Sequence, residues 1–170
     1  VDKFIENYNS KITDEMKQRA KTLGYTMDQM MTLASVIQKE CDADIDECAN
    51  VSSVFHNRLK DPASFPKLES DVTTFYISQN LKDVIGYQDG VALENQNGEV
   101  KKYMELYSTY YRSGLPVGPI CNPGLKAINA ALHPAETNYV FFLTDESGEH
   151  FYYASTIAEH NANGVKAGLF

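Results

Sequence analysis

The best-marked amphipathic segment of the chain lies between residues 26 and 41. Four apolar residues recur there at the spacing of one helix face: Met30, Leu33, Ala34 and Ile37. Thr26 and Gln29 precede them in the T-x-x-Q pattern of a capping box, in which both side chains satisfy backbone groups at the helix start. The pattern therefore predicts a helix that begins after Thr26 and ends before the acidic segment 42–46.

Cap and stop signals predict further helices. Ser, Thr, Asp and Asn side chains accept hydrogen bonds from free N–H groups at helix starts, while Gly and Pro commonly follow helix ends. On these rules, one helix covers residues 13–22 and is capped by Thr13, and another covers residues 47–60 and is capped by Asp46. A short helix, Thr73–Ile77, is capped by Asp71, and a further one starts at the cap Asn122 and Pro123 and runs to Leu132. A terminal helix begins with the capping box Thr156 and Glu159.

Strand signals are confined to the last third of the chain. Residues 139–144 are rich in aromatic and β-branched side chains, 145–148 carry a turn signal, and 150–153 complete a predicted β-hairpin. Residues 1–10 show no strong periodicity, and the polar stretch 80–105 indicates a long loop or a small hairpin. The pattern predicts an α+β fold, helix-rich with a small antiparallel sheet.

Composition narrows the range of partners. The 170-residue chain has the length of one domain, and its net charge of −8 with a pI near 4.9 makes nucleic acid an unexpected partner. No apolar run is long enough to span a bilayer. Eleven Tyr and eight Phe without Trp suit carbohydrate binding, although most of these rings are expected to be half-buried core residues.

The motifs of several other chemistries are missing. No C-x-x-C, G-x-S-x-G or phosphate-binding loop occurs, so metal sites, triad hydrolases, nucleotide enzymes and cofactors are not expected. The three cysteines are Cys41, Cys48 and Cys121. Free, buried thiols are their expected state, and a disulfide between Cys41 and Cys48 is the alternative.

One carboxylate lies on the apolar side of the helix predicted between residues 26 and 41, the side that is expected to be buried. At about 100° per residue, Glu40 projects within about 20° of Leu33, between Leu33 and Val36. Burial disfavours the charged form and raises the pKa, as a general acid for glycosidic bond cleavage requires. The alternative is that Glu40, in the last helical turn, simply reaches solvent.

A series of short motifs runs from residue 33 to residue 161. The motifs are L-A-S-V-I-Q-K-E at 33–40, V-S-S-V-F-H-N-R-L at 51–59, L-E-S-D-V-T at 68–73, Y-S-T-Y at 107–110, G-L-P-V-G-P-I-C-N-P-G at 114–124, A-A-L-H-P at 130–134, Y-V-F-F at 139–142 and E-H-N at 159–161. Together and in this order they resemble the YceG-like family, the endolytic murein transglycosylases known as MltG.

The resemblance implies a bacterial enzyme on the extracytoplasmic face of the cell membrane, held by one N-terminal membrane helix. Family members cut the β-1,4 bond between N-acetylmuramic acid and N-acetylglucosamine in peptidoglycan glycan strands and leave 1,6-anhydro-muramic ends. Cell-wall synthesis proteins are expected partners. Residues 1–25 are then expected to be a linker or a remnant of a LysM-like region, and residues 26–170 the catalytic domain.

The family motif A-S-I-V-E-K-E offers two candidate glutamates, and this chain carries Gln38 at the first of them. Because an amide cannot exchange a catalytic proton, the role falls to Glu40. We expect Glu40 to protonate the leaving oxygen and then to accept the proton of the muramic C6 hydroxyl. The resemblance and the hydrogen-bonding chemistry suggest the following substrate-binding residues: Glu69, Ser70, Asp71, Thr73, Tyr107, Thr109, Tyr110, Asn122, His160 and Asn161.

Two other functions stay open on the sequence. A muramidase-type hydrolase of the same bond would use Glu40 as the acid and Asp71 or Glu69 as the second carboxylate. A non-catalytic glycan-binding or scaffold module would need no acid. Arg58 and its neighbour Asn57 are expected to tie the third helix to the loop that follows it.

Overall fold

The computed structural model describes residues 2–169, with the backbone alone at residues 2–5 and 7. Within these residues the helices are α1 Asp2–Lys11, α2 Asp14–Thr22, α3 Met27–Glu40, α4 Ile45–Lys60, α5 Asp71–Phe75, α6 Lys82–Ile85, α7 Gly98–Tyr107, α8 Leu125–Leu132 and α9 Ile157–Lys166. A π-helical turn, Tyr76–Asn80, follows α5, and a 3-10 turn covers Leu93–Asn95. Strands β1 Phe141–Thr144 and β2 Phe151–Ala154 form one antiparallel hairpin, which confirms the predicted α+β class.

Helix α3 lies at the centre of the main core. It packs against α8, α4 and α2, and Leu33, Ala34 and Ile37 are fully buried. A buried Leu or Ile side chain stabilises the fold by about 1.5–3 kcal/mol relative to an exposed one. The predicted capping box of α3 is present: Thr26 Oγ1 accepts from Gln29 N–H at 3.2 Å, and Gln29 Oε1 accepts from Thr26 N–H at 2.8 Å.

The capping residues Thr13 and Thr156 are also confirmed, whereas three predicted caps are wrong. Helix α4 starts two residues earlier than predicted because Asp44, rather than Asp46, accepts from Glu47 N–H at 2.9 Å. Asp71 is the first residue of α5 and not its cap; the cap position belongs to Ser70, whose hydroxyl is engaged elsewhere.

The helix predicted to start at Asn122 and Pro123 begins only at Leu125, with Gly124 at the cap position. The turn before it is held by α3, because Gly124 N–H donates to Gln38 Oε1 at 3.1 Å. Gln38, which stands where the family motif has its first glutamate, therefore has a structural role at the start of α8.

Residues 80–105 are mostly helical, so the predicted loop or hairpin is wrong. Ile77, Ile85, Val100 and Met104 build a second, small apolar cluster. Polar side chains organise the turns around it, since the buried Gln96 bonds the backbone of Gln88 and Val91 and the exposed Asn97 caps α7. Residues 2–11, which show no periodicity in the sequence, also form a helix.

The hairpin pairs Phe141 with Ala154 and Thr144 with Phe151, and β1 starts two residues later than predicted. Val140 N–H donates to Ala154 O at 2.9 Å, while Val140 O accepts from Arg58 Nε at 2.7 Å. The hairpin is thereby attached to α4. No helix within residues 2–169 is both long and apolar enough to cross a membrane.

The expectation of free thiols is wrong for two of the three cysteines. Cys41, the C-cap residue of α3, forms a disulfide with Cys48 in α4, and their Cα atoms are 5.5 Å apart. Cys121 stays free and half-buried. The end of α3 and the start of α4 are thus covalently joined directly beside Glu40.

Candidate active site

A cleft of about 770 Å³ lies between the end of α3, the segment that leads into α5, and the hairpin. Its polar wall contains Glu40, Arg58, Glu69, Ser70, Asp71 and Tyr110. Its apolar wall contains Phe141, Phe142, Leu143, Ile157 and Leu169. A polar wall facing an apolar one suits a sugar, which has hydroxyl edges and apolar ring faces.

Glu40 is the last residue of α3, and its carboxyl group reaches the cleft from the core side. Burial raises the pKa of Glu40, and the negative charge of Asp71 raises it further. The Ser70 hydroxyl donates to Glu40 Oε1 at 2.5 Å, which favours the ionised form and lowers the pKa in part. Because burial is the strongest of these effects, the carboxyl group retains its proton at a higher pH than an exposed glutamic acid.

Ser70 is held by a buried network of backbone groups and hydroxyls. Its N–H donates to Thr109 Oγ1 at 2.9 Å, and its carbonyl accepts from Thr73 Oγ1 at 2.6 Å. Thr73 and Thr109 are themselves fully buried, and their hydroxyls lie 3.0 Å apart. Their side chains therefore position Ser70 and do not face the cleft.

Glu69 adopts a left-handed backbone conformation, with φ of 53°, which is uncommon outside glycine. Its N–H donates to Thr109 O at 3.3 Å, and its carboxylate lies 3.2 Å from Arg58 Nη1. A conformation of this kind costs on the order of 1–3 kcal/mol and persists only where surrounding contacts require it. Here it turns the chain so that the next residue, Ser70, points at Glu40.

Arg58 joins three parts of the cleft wall. Its guanidinium donates to Val140 O and, at 3.0 Å, to Leu68 O, and it lies over the Phe141 ring at 5.2 Å. The expectation that Arg58 ties its helix to the following loop is confirmed, whereas it is wrong for Asn57, which donates to Thr137 O and Tyr139 O before the hairpin. Burial lowers the pKa of Arg58, and the neighbouring Glu69 opposes that shift, so the guanidinium stays charged.

Asp71 and Tyr110 form the outer rim of the polar wall. The Tyr110 hydroxyl donates to Asp71 Oδ1 at 2.8 Å. Burial and the Asp71 carboxylate both keep the pKa of the Tyr110 hydroxyl above its usual value, so the phenol is neutral. Both residues are exposed enough to meet a ligand.

His160 lies at the opposite side of the cleft, where its ring stacks on Phe141 with centroids 5.1 Å apart. Its Nδ1 atom is buried and has no hydrogen-bond partner among the described residues. Burial and the charge of Arg58 both lower the pKa of His160, so the neutral imidazole is favoured.

The cleft brings together Glu40 and five of the predicted substrate-binding residues: Glu69, Ser70, Asp71, Tyr110 and His160. The other five lie outside its lining, two of them being the buried Thr73 and Thr109. Tyr107 packs against Tyr76 and Tyr103, Asn122 is exposed before α8, and Asn161 is exposed on α9.

Sequence reasoning assigned no site role to Arg58, Phe141 or Ile157, which line the cleft. For Arg58 a signal was present: it follows Val54 and Phe55 at helical spacing, so a charged group falls on a buried helix face. No comparable signal distinguishes the hairpin residues. Within residues 2–169, no three His, Cys, Asp or Glu side chains come together as a metal site would require.

The sequence profile of the YceG-like family matches residues 1–166. The chain belongs to the YceG-like family. A crystal structure of a YceG-like protein from Listeria monocytogenes superposes with a TM-score of 0.68 at 26% identity, covering 94% of this chain and 46% of that one. The fold and the order of motifs are therefore those of the YceG-like family.

Two curated relatives are named endolytic murein transglycosylases. The Bacillus subtilis protein is 35% identical over 158 residues, which are 93% of this chain and 37% of that protein. The Streptococcus pneumoniae serotype 2 protein is 26% identical over 163 residues, which are 96% of this chain and 26% of that protein. The chain thus spans well under half the length of the curated relatives it matches.

Proposed function

We propose that this YceG-like chain is a lytic transglycosylase domain. It cuts the β-1,4 bond between N-acetylmuramic acid and N-acetylglucosamine in peptidoglycan and forms 1,6-anhydro-muramic ends. The observation that carries the proposal is the Glu40 carboxyl group in the cleft, whose pKa is raised by burial and which accepts a hydrogen bond from Ser70. The names of the relatives support murein as the substrate.

In the first step Glu40 gives its proton to the glycosidic oxygen as the bond to muramic C1 breaks. The resulting Glu40 carboxylate is stabilised by the Ser70 hydroxyl, which already donates to it at 2.5 Å. In the second step the carboxylate takes the proton of the muramic C6 hydroxyl while that oxygen bonds to C1. The proton returns to Glu40, no water is consumed, and one residue serves as both acid and base.

The two neighbouring carboxylates have other partners. Glu69 pairs with Arg58, and Asp71 accepts from Tyr110. The cation that develops at C1 is then stabilised by the acetamido group of the substrate itself, which removes the need for a second catalytic carboxylate. Glu69, Ser70, Asp71, Tyr110 and His160 line the cleft and are proposed to bind the sugars.

A muramidase hydrolase is the second candidate, and one observation favours it. The Asp71 charge acts on the Glu40 carboxyl group and raises its pKa, so Asp71 is close enough to take part in a two-carboxylate site. In that reaction Asp71 would activate water, or form a bond to C1, after Glu40 protonates the leaving oxygen.

We further propose that the chain acts on the extracytoplasmic face of a bacterial membrane, as part of a longer, membrane-anchored protein that works with cell-wall synthesis proteins. Two observations support the location. Murein, the substrate in the relatives' names, lies outside the cytoplasm. The Cys41–Cys48 disulfide is typical of an oxidising compartment.

Mass spectrometry of glycan strands digested by the chain tests the reaction type. A transglycosylase releases muramic ends that are one water lighter than hydrated reducing ends, and this is the expected result. Fully hydrated ends would overturn the proposal in favour of the muramidase. Binding of strands without any cleavage would instead indicate a non-catalytic module.

A further inference from the structure

Strand β1 presents its edge, and not only one of its faces, to the cleft. Five consecutive residues line the cleft: Phe141, Phe142, Leu143, Thr144 and Asp145. Successive side chains of a strand point to opposite faces, so all four residues of β1 can adjoin one cavity along the strand edge. The edge is continuous with the cavity that holds Glu40.

The alternation of hydrogen-bonded and non-bonded residue pairs in the hairpin identifies which backbone groups lie on that edge. Asp145 N–H donates to His150 O at 3.1 Å, and the register places Leu143 opposite Tyr152 and Phe141 opposite Ala154. In an antiparallel ladder, hydrogen-bonded pairs alternate with non-bonded pairs. The backbone groups of Leu143 therefore face β2, whereas those of Phe142 and Thr144 face away from it.

By this alternation β2 does not use the N–H and C=O groups of Phe142 and Thr144, and these groups make no backbone hydrogen bond to the described residues outside the hairpin. The sheet has two strands, so β1 ends it on the cleft side. Unpaired strand edges readily accept another extended chain, which is why proteins usually shorten or cover them. This edge is left open inside the candidate active site.

We propose that the free edge of β1 binds the peptide stem of the glycan substrate in the manner of an added β-strand. The proposal rests on the proposed function, since it assumes that peptidoglycan occupies the cleft. In that polymer a short peptide is attached to the muramic residue, the sugar at which the bond is cut. A sugar placed at Glu40 therefore brings its own peptide to the same cleft.

The size and chemistry of the edge fit this occupant. Phe142 and Thr144 offer four backbone hydrogen-bonding groups over about 7 Å, the length of a peptide segment of two to three residues. Backbone pairing does not depend on side-chain identity, so the edge requires no particular side-chain sequence in the stem. Small apolar side chains of the stem would meet Leu143, Ile157 and Leu169, which line the same cleft.

Amide hydrogen exchange on the Glu40→Gln variant, which is expected to bind strands without cutting them, tests the proposal. The probes are two oligosaccharides of equal length, one carrying its peptides and one from which the peptides have been removed. At a concentration of about ten times Kd, the peptide-bearing probe should slow exchange at Phe142 and Thr144 about tenfold. The peptide-free probe should not slow it, and Leu143, already bonded to β2, serves as the internal control.

A pair of variants at one position separates backbone from side-chain effects. Thr144→Pro removes an amide that β2 does not use, together with the threonine side chain, and prolines are tolerated at such edges. It should abolish the tighter binding of the peptide-bearing probe, whereas Thr144→Val, which retains the amide, should preserve it. Equal slowing by both probes, slowing by neither, or an unchanged peptide effect in Thr144→Pro would overturn the proposal.

Failure of this proposal can be told apart from failure of the proposed function. If the peptide-free probe changes the exchange rate of the Ser70 amide while neither probe changes exchange at Phe142 and Thr144, the edge proposal is wrong and the proposed sugar site is supported. If neither probe perturbs Ser70, the proposed function itself fails. Without any probe, exchange at Phe142 and Thr144 should not depend on protein concentration. If it slows as the protein concentration rises, the edge pairs with a second copy of the chain, which also overturns the proposal.

Discussion

Ser70 and Asp71 act on the Glu40 carboxyl group in opposite directions. The Ser70 hydroxyl stabilises the ionised form, and the Asp71 charge disfavours it. Burial disfavours it most strongly. The helical spacing of α3 predicts the side on which Glu40 lies, but Ser70 comes from a segment thirty positions further along the chain, and no local pattern predicts that contact.

The first prediction concerns pH dependence. Glu40 must be protonated in the first step, so kcat/KM should fall as pH rises through the pKa of Glu40. Ser70→Ala removes a hydrogen bond to the ionised form and so raises this pKa. The falling limb of the profile should therefore move to higher pH, while the control Ser70→Thr retains the hydroxyl and should stay near wild type. A limb that moves to lower pH would contradict the assigned role of Ser70.

The second prediction concerns the network that positions Ser70. Thr109→Val keeps the side-chain shape but leaves the buried Ser70 N–H without its acceptor. Urea unfolding should show a loss of about 1–3 kcal/mol in the free energy of unfolding. Thr109→Ser keeps the hydroxyl and should lose only about 1 kcal/mol, the value of a buried methyl group. Equal stability of the two variants would show that the hydroxyl is not needed.

At the scale of elements, the helices with strong local signals can be predicted from the sequence. The elements whose formation depends on tertiary contacts cannot be predicted in this way. The capping box at Thr26 places the start of α3 correctly, because its hydrogen bonds are made within four residues. By contrast, α7 and the turns before it depend on Gln96, Asn97 and a few scattered apolar residues. The Asn97 cap is a local signal, but the scattered apolar residues and the Gln96 contacts leave no periodic pattern, so the sequence favours a loop over residues 80–105.

The third prediction concerns the junction of α3 and α4. The Cys41–Cys48 disulfide closes a short loop, and its reduction should lower the free energy of unfolding by about 2 kcal/mol. Urea unfolding with and without reductant measures this loss. The double variant Cys41→Ser/Cys48→Ser keeps Cys121 and should not respond to reductant. Labelling of three free thiols in the untreated native chain would contradict the disulfide.

At the scale of the whole molecule, Arg58 connects α4, the segment before α5 and the hairpin. The cleft exists because these parts are held at a fixed spacing around Glu40. The fold class could be predicted from the order of helix and strand signals. The cleft could be anticipated only through the family resemblance, since its two walls come from segments that are far apart in the sequence.

The fourth prediction tests this connection. Arg58→Lys retains the charge but cannot reproduce the donors that reach Val140 O and Leu68 O, so the free energy of unfolding should fall by about 1–3 kcal/mol. Amide exchange in β1 should also become faster. Glu69→Gln removes only a half-exposed ion pair and should cost less than about 1 kcal/mol. If Glu69→Gln destabilises the chain more than Arg58→Lys, the cleft walls are held together by the Arg58–Glu69 ion pair and not by the contacts of Arg58 with backbone carbonyls.

Turnover of glycan strands by Glu40→Gln tests the central claim most directly. The matched control is Glu105→Gln, the same chemical change at an exposed residue of α7 outside the cleft. Glu40→Gln should lose about 10²–10⁴-fold in turnover while remaining folded and able to bind strands, and Glu105→Gln should match wild type. If Glu40→Gln cleaves strands at the wild-type rate, Glu40 is not the catalytic acid.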